Sequence, residues 1–218
     1  NYEQILERVE KPARYIGGEL NAVTKPWTEA RLRVVLAFPD LYEIGFSHLG
    51  LRLLYQRVND DPAYLAERVY APAADMEREL RAAKLPLFSL ETRHPLDQFD
   101  LIGFTLQYEL SYTNILNMMN LAGIPLRREE RSEAHPLIIG GGPGSFNPEP
   151  LAEFFDLFFL GEGEEAILEI LAQIADGKEK GQSKQEIKKG LLKVEGVYLP
   201  EYYTVEYREE GVIAAVNP

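Results

Sequence analysis

Residues 32–40 read LRVVLAFPD, an apolar run interrupted only by Arg33 and closed by a proline and an aspartate. Such a run ending in a turn signal predicts a β-strand that is buried on both faces. Shorter apolar runs follow at 68–70, 101–106, 137–139 and 157–160. Segments with helical spacing of apolar residues lie between them, among them 49–58, 74–84, 112–121 and 164–175. This alternation predicts parallel strands joined by right-handed crossovers.

We therefore expect an α/β fold: a doubly wound, mostly parallel five-stranded sheet, flavodoxin-like or Rossmann-like. Residues 1–30 are expected to form a lead segment and 31–178 the α/β domain. A helix over 183–192 and a β-hairpin around 209–211 are expected to form an extension over 179–218. We also expect a short helix at 150–154. Because the sequence lacks an initial Met and stops at Pro218, we interpret it as a fragment.

Composition excludes several classes of function. The 218 residues contain no cysteine, so they hold no disulfide, no thiolate zinc site and no Cys-ligated iron–sulfur cluster. A net charge of −12 disfavours nucleic acid as a partner, since binding there depends on Lys and Arg. No apolar stretch is long enough to cross a membrane, and the first residues carry no signal-peptide pattern. We expect a cytoplasmic protein, and nothing in the sequence predicts its oligomeric state.

The unusual residues of the chain follow the predicted strands. In doubly wound sheets, ligands bind beyond the carboxyl ends of the strands, so the loops 40–49, 105–112, 140–147 and 161–164 should line one edge. The glycine-rich loop after 137–139 can approach a ligand closely, but it is neither a P-loop nor a GxGxxG fingerprint. Asp40 is expected to cap the next helix or to bond Tyr42. His48 lies on the same edge, without a second metal ligand at suitable spacing.

Two sets of residues resemble known families. Asp40-Leu41-Tyr42-Glu43-Ile44-Gly45, then Thr105, then Gly140-Gly141, resemble the DxHxxG, Ser/Thr and double-Gly elements of cobalamin-binding domains. Tyr42 stands where that family has its cobalt-ligating His. A second set resembles radical S-adenosylmethionine (radical SAM) proteins with an N-terminal cobalamin-type domain: Gly141-Gly142-Pro143, Pro148-Glu149-Pro150, Asp156 and Gly161-Glu162-Gly163-Glu164. One branch of these proteins also shares the stretches 14–19, 39–47 and 104–109.

The resemblance implies an N-terminal cofactor-binding domain, not itself catalytic and holding no metal site of its own. The iron–sulfur cluster and S-adenosylmethionine would then belong to a radical SAM domain further along the chain, which would be its intramolecular partner. Cobalamin is the implied cofactor. The implied contact residues are Asp40, Tyr42, Gly45, Ser47, Thr105, Gln107, Gly140, Gly141, Gly142, Gly144, Glu162 and Gly163.

Two alternatives stay open at this point. Tyr42 in place of the ligating His is equally consistent with a degenerate α/β scaffold that holds no cofactor and recruits a substrate or partner. Large side chains filling the edge would favour that scaffold, whereas an open cleft of several hundred Å³ would favour cobalamin. A nucleotide or flavin binder is a third hypothesis, weakened by the missing ribose-binding acid and glycine fingerprint.

Overall fold

The computed structural model describes residues 1–217. The strands are β1 Leu32–Phe38, β2 Tyr64–Tyr70, β3 Leu101–Thr105, β4 Leu137–Gly141, β5 Leu157–Phe159, β6 Val197–Tyr198, β7 Thr204–Tyr207 and β8 Ile213–Asn217. The α-helices are α1 Tyr2–Leu6, α2 Tyr42–Gly45, α3 Leu49–Asp60, α4 Ala74–Ala83, α5 Tyr112–Leu121, α6 Gly163–Glu179 and α7 Lys184–Leu191. Short 3₁₀ turns occupy several connections, including Pro143–Phe146 and Glu149–Leu151.

Six strands form one sheet in the order β2-β1-β3-β4-β5-β6. The first five are parallel, with Val34 of β1 opposite Leu101 of β3 and Ile139 of β4 opposite Leu157 of β5. After β2 the chain returns past β1 to form β3, so the strand order reverses between β1 and β3. This order is that of flavodoxin-like folds, and it confirms the predicted doubly wound α/β class.

Both faces of the sheet are covered by apolar side chains. On one face, α1, α4 and α5 pack against strand residues such as Val35, Ile102 and Ile138. On the other face, α3, α6 and α7 pack against strand residues such as Leu36, Leu101 and Ile139. Residues one apart on a strand point to opposite faces, which accounts for the near-continuous apolar runs of the sequence.

The structure departs from the sequence-based expectation in three elements. The second strand begins at Tyr64 rather than at 68, and Glu67, whose charge breaks the apolar pattern, is buried in it. A 3₁₀ turn, Glu149–Leu151, replaces the predicted helix at 150–154. The sheet has a sixth strand, β6, which runs antiparallel to β5. Beyond it, β7 and β8 form the separate hairpin that was predicted.

The lead segment packs directly on the α/β domain. Ile5, Leu6 and Val9 are buried in the core on the α4 and α5 face. The backbone N–H of Val23 donates to the hydroxyl of Tyr55 (2.7 Å), and the Lys25 ammonium donates to the carbonyl of Tyr64 (2.6 Å). Among residues 1–217, no helix is long and apolar enough to cross a membrane.

Candidate functional site

A cleft of about 490 Å³ opens at the carboxyl edge of the sheet. Its floor consists of strand residues from β1, β3, β4 and β5, and its walls come from α3 and α6. The floor residues are Leu36, Gly103, Ile139, Gly141 and Phe159, and the apolar wall residues include Leu51, Leu54, Ile167 and Ile170. The cleft therefore spans the reversal of strand order, where doubly wound folds bind ligands, and its volume is typical of small-molecule sites.

Two glycines keep the floor of the cleft open. A Cβ added at Gly141 would meet no atom within 4 Å, and one added at Gly103 would meet only Leu36 Cδ2, at 3.4 Å. Any larger residue at these positions would project into the cleft. Gly140, the neighbour of Gly141, faces the opposite core, where an added Cβ would come within 2.8 Å of the Phe158 ring. The two adjacent glycines thus lie on opposite faces of the sheet.

The glycine-rich loop folds back on the loop after β3. Gly142 has φ of 104°, a left-handed conformation that glycine adopts without strain. The backbone N–H of Gly144 donates to the carbonyl of Leu106 (2.7 Å), and Ser145 Oγ donates to the carbonyl of Phe159 (2.9 Å). Gly142 and Pro143 consequently line the cleft, whereas Gly144 packs beside Leu106 and Tyr112 away from it.

Polar groups at the mouth of the cleft are few. Gln107 Nε2 donates to Thr105 Oγ1 (2.6 Å), which fixes both side chains after β3. His48 Nδ1 accepts from the backbone N–H of Leu51 (3.1 Å) and so caps α3. Glu162 and Glu164 stand at the start of α6, and no Lys or Arg is among the described residues that line the cleft. This charge distribution disfavours ligands that carry several phosphates.

The first residues of the loop after β1 direct their side chains away from the cleft. Asp40 neither caps α2 nor bonds Tyr42; it accepts a hydrogen bond from the Tyr108 hydroxyl (2.6 Å). The Tyr42 hydroxyl donates to Glu19 (3.0 Å), and its ring packs edge-on against Tyr70. Burial, together with the bond to Glu19, raises the pKa of Tyr42 to about 12. The phenol is therefore neutral at physiological pH.

Half of the predicted contact residues line the cleft, and half lie outside it. Those that line it are Thr105, Gln107, Gly141, Gly142, Glu162 and Gly163. Those outside it are Asp40, Tyr42, Gly45, Ser47, Gly140 and Gly144. Gly45 is buried beside Phe38 and Tyr70, and Ser47 is exposed to solvent.

Sequence reasoning missed two glycines of the cleft. Gly103 lies within β3, and Gly50 lies in the first turn of α3 beside the His48 ring. A glycine inside a strand often marks a place where a ligand or another backbone approaches closely. That signal was present at Gly103 and would have identified the floor of the cleft.

Exposed apolar side chains occur in the segments that follow β1, β3 and β4. We call this group the apolar rim; it comprises Ile44, Phe46, Leu49, Leu53, Tyr108, Leu110 and Phe146. Leu110 and Phe146 are 86% and 73% exposed. Exposed apolar side chains that form a patch commonly mark a binding or docking area. No group of three His, Cys, Asp or Glu side chains suited to a metal ion occurs within residues 1–217.

Comparison with known proteins identifies the class. Residues 50–200 match the family model described as "Radical SAM proteins, N-terminal". Because this match covers more than half of the sequence, the chain belongs to that family of N-terminal domains of radical SAM proteins, as the sequence motifs predicted.

Two individual proteins are similar to the chain. It is 24% identical over 141 residues to an uncharacterised protein of Methanocaldococcus jannaschii, a match covering 63% of this chain and 26% of that protein. The chain thus spans about a quarter of that relative's length. The radical S-adenosylmethionine methyltransferase TsrM of Kitasatospora setae superposes with a TM-score of 0.45 and 18% identity. That superposition covers 85% of this chain and 30% of TsrM.

Proposed function

We propose that this chain is a cobalamin-binding domain that serves radical chemistry performed elsewhere in a longer radical SAM protein. The observation that carries the proposal is the cleft of about 490 Å³ with its glycine floor at the reversal of strand order. Tyr42, Tyr108 and Phe146, the large side chains expected to fill this edge in a degenerate scaffold, do not line the cleft.

The residues present fit the nucleotide tail of cobalamin, which ends in a flat aromatic base. Gly103 and Gly141 place no side chain on the floor, and Leu54 and Ile167 supply apolar walls. Flat apolar groups gain most from burial in such a space. We assign the tail to the cleft and the corrin ring to the apolar rim. There the ring would cover exposed apolar side chains and shield them from water.

Tyr42 is not proposed as a ligand of cobalt. Its hydroxyl is engaged with Glu19, and its raised pKa of about 12 keeps the phenol protonated. In this proposal the loop after β1 leaves cobalt without a side-chain ligand. When bound, cobalamin supplies a cobalt centre that can carry a methyl group for transfer.

The remaining parts of the proposal concern the longer protein. The iron–sulfur cluster and S-adenosylmethionine are assigned to a radical SAM domain outside these 218 residues, because the chain has no cysteine to ligate a cluster. That domain is the proposed intramolecular partner, facing the apolar rim. We place the protein in the cytoplasm.

Retention of cobalamin by the 218-residue chain tests the proposal. The chain is mixed with hydroxocobalamin, desalted, and examined for corrin absorbance that elutes with the protein. ATP and flavin mononucleotide represent the nucleotide and flavin alternatives, and neither should be retained. A folded chain that retains no corrin would favour the scaffold hypothesis. Retention of flavin or ATP instead would favour a nucleotide or flavin binder.

A further inference from the structure

His48 occupies a special position at the mouth of the cleft. It is the residue before α3, and it lines the cleft with its ring tilted against Phe38 at a centroid distance of 5.2 Å. Its Nδ1 accepts a hydrogen bond from the backbone N–H of Leu51, at 3.1 Å. Two contacts therefore fix the ring, one by packing and one by capping the helix.

The cap determines which ring nitrogen carries the proton. A neutral imidazole has one donor and one acceptor nitrogen. Because the lone pair of Nδ1 is occupied by the Leu51 N–H, the hydrogen must reside on Nε2. Within residues 1–217, no hydrogen bond from Nε2 to another side chain or carbonyl occurs. His48 thus carries an Nε2–H donor without a partner among the described protein groups, and it lines a cleft whose charged lining residues are glutamates.

We propose that His48 is a ligand-binding residue that donates a hydrogen bond from Nε2 to an oxygen acceptor of the nucleotide tail. This inference rests on the proposed function. The same geometry excludes His48 as a ligand of cobalt, because a nitrogen that carries hydrogen has no lone pair to offer a metal. Ligation through Nε2 would require either a shift of the proton to Nδ1, which breaks the helix cap, or removal of the Nε2 proton.

The decisive variant is His48→Asn. Asparagine is among the best N-cap residues, and its side-chain oxygen takes the place of Nδ1, while its shorter amide does not extend to the position of Nε2. His135→Asn is the matched control, since His135 Nδ1 also accepts from a backbone N–H, that of Ser132 (3.0 Å). His135 precedes β4 at the opposite edge of the sheet.

We expect His48→Asn to keep the melting temperature of the parent chain and to bind hydroxocobalamin about 2- to 12-fold more weakly, the range for one lost hydrogen bond. His135→Asn should bind as the parent does. Affinity of His48→Asn within twofold of the parent would contradict the inference. So would nitrogen hyperfine splitting in bound cob(II)alamin that responds to ¹⁵N-histidine labelling and disappears in His48→Asn.

A second measurement separates this inference from the proposed function. Nitrogen-15 spectra of the ligand-free chain report which ring nitrogen of each histidine is protonated, and the three histidines are distinguished by the two variants. We expect the Nε2–H form at His48. The Nδ1–H form would overturn the role of His48 even if cobalamin binds. Failure of the parent chain to retain corrin would instead overturn the proposed function, whatever form His48 adopts.

Discussion

Gly140 and Gly141 are neighbours on β4, but one faces the packed core and the other faces the cleft. Gly140 lies over the core formed by Phe158, Leu106 and Phe155, and an added Cβ would approach each of these within 3.1 Å. Gly141, one residue on, faces open space in the cleft. Substitutions at the two positions should therefore have opposite effects on folding and on ligand retention.

We predict that Gly141→Leu abolishes corrin retention while changing the free energy of unfolding by no more than about 0.5 kcal/mol, as for substitutions away from packed features. Gly140→Ala should lower that free energy by about 1–3 kcal/mol, the usual result of overpacking a core. Urea denaturation and the desalting assay measure the two effects. A Gly141→Leu chain that retains corrin with the parent's affinity would exclude the cleft as the binding site.

At the residue scale, sequence predicts which loops meet but not where their side chains point. The loops after β1, β3, β4 and β5 do meet at one edge, as strand order requires. Yet Tyr42 is directed towards Glu19, which lies 23 residues earlier in the lead segment. Such a contact depends on how an irregular segment folds across the domain, and no periodic pattern encodes it.

The contact between α6 and α7 also depends on a glycine. Gly177 lies inside α6, where a glycine normally destabilises a helix relative to alanine. Here a Cβ would lie 2.5 Å from Ile187 Cγ1 and 2.9 Å from Gln182 Oε1. Because Ile187 is buried in the core, α7 cannot withdraw without exposing apolar surface. The glycine therefore sets the distance between the two helices.

We expect Gly177→Ala to destabilise the chain. The gain in helix propensity is about 1 kcal/mol, whereas overpacking costs about 1–3 kcal/mol, and this site combines two close contacts. Gly190→Ala in α7 is the control, because its Cβ would meet only Gln173 Oε1, at 3.7 Å. That control should be stabilised by up to about 1 kcal/mol. Equal shifts of the urea midpoint in both variants would refute the packing argument.

At the element scale, apolar runs located most strands and helices, but the charge of Glu67 concealed the first half of β2. In β2, Arg68 is buried because its guanidinium donates to Glu91 (2.7 Å) and to Glu19 (2.9 Å). Glu67 is buried because it accepts from the Thr92 hydroxyl (2.6 Å). These partners come from distant loops, so the pattern underestimated the strand. β6, with two residues, is too short to be assigned to a sheet from its sequence.

At the scale of the whole molecule, the lead segment protects an edge of the sheet. β2 is the outermost strand, yet every one of its residues is buried. In the lead segment, Glu19 accepts a hydrogen bond from the Arg68 guanidinium, and Lys25 donates one to the carbonyl of Tyr64. In the loop before β3, Glu91 accepts a hydrogen bond from the backbone N–H of Arg68. An uncovered edge strand presents unpaired backbone groups that promote association between molecules.

Deletion of residues 1–28 should therefore leave a chain that aggregates or loses its fixed tertiary structure. It removes Ile5, Leu6 and Val9 from the core and uncovers β2. Removal of 204–218, which includes the largely exposed β7–β8 hairpin, is the matched control and should leave the fold intact. Size-exclusion chromatography and near-ultraviolet circular dichroism distinguish the two. A monomeric, cooperatively unfolding deletion of 1–28 would show that the lead segment is dispensable.

The open space above Gly141 has an evolutionary consequence. A Cβ added at Gly141 meets no atom within 4 Å, so selection for folding alone does not remove a substitution there that leaves the chain folded. Only selection on ligand binding could remove such a mutation from a population. Lineages that no longer need a ligand at this site can therefore lose the site by neutral drift and keep the fold intact. Two homologues with the same backbone can then differ in whether they hold a ligand at all.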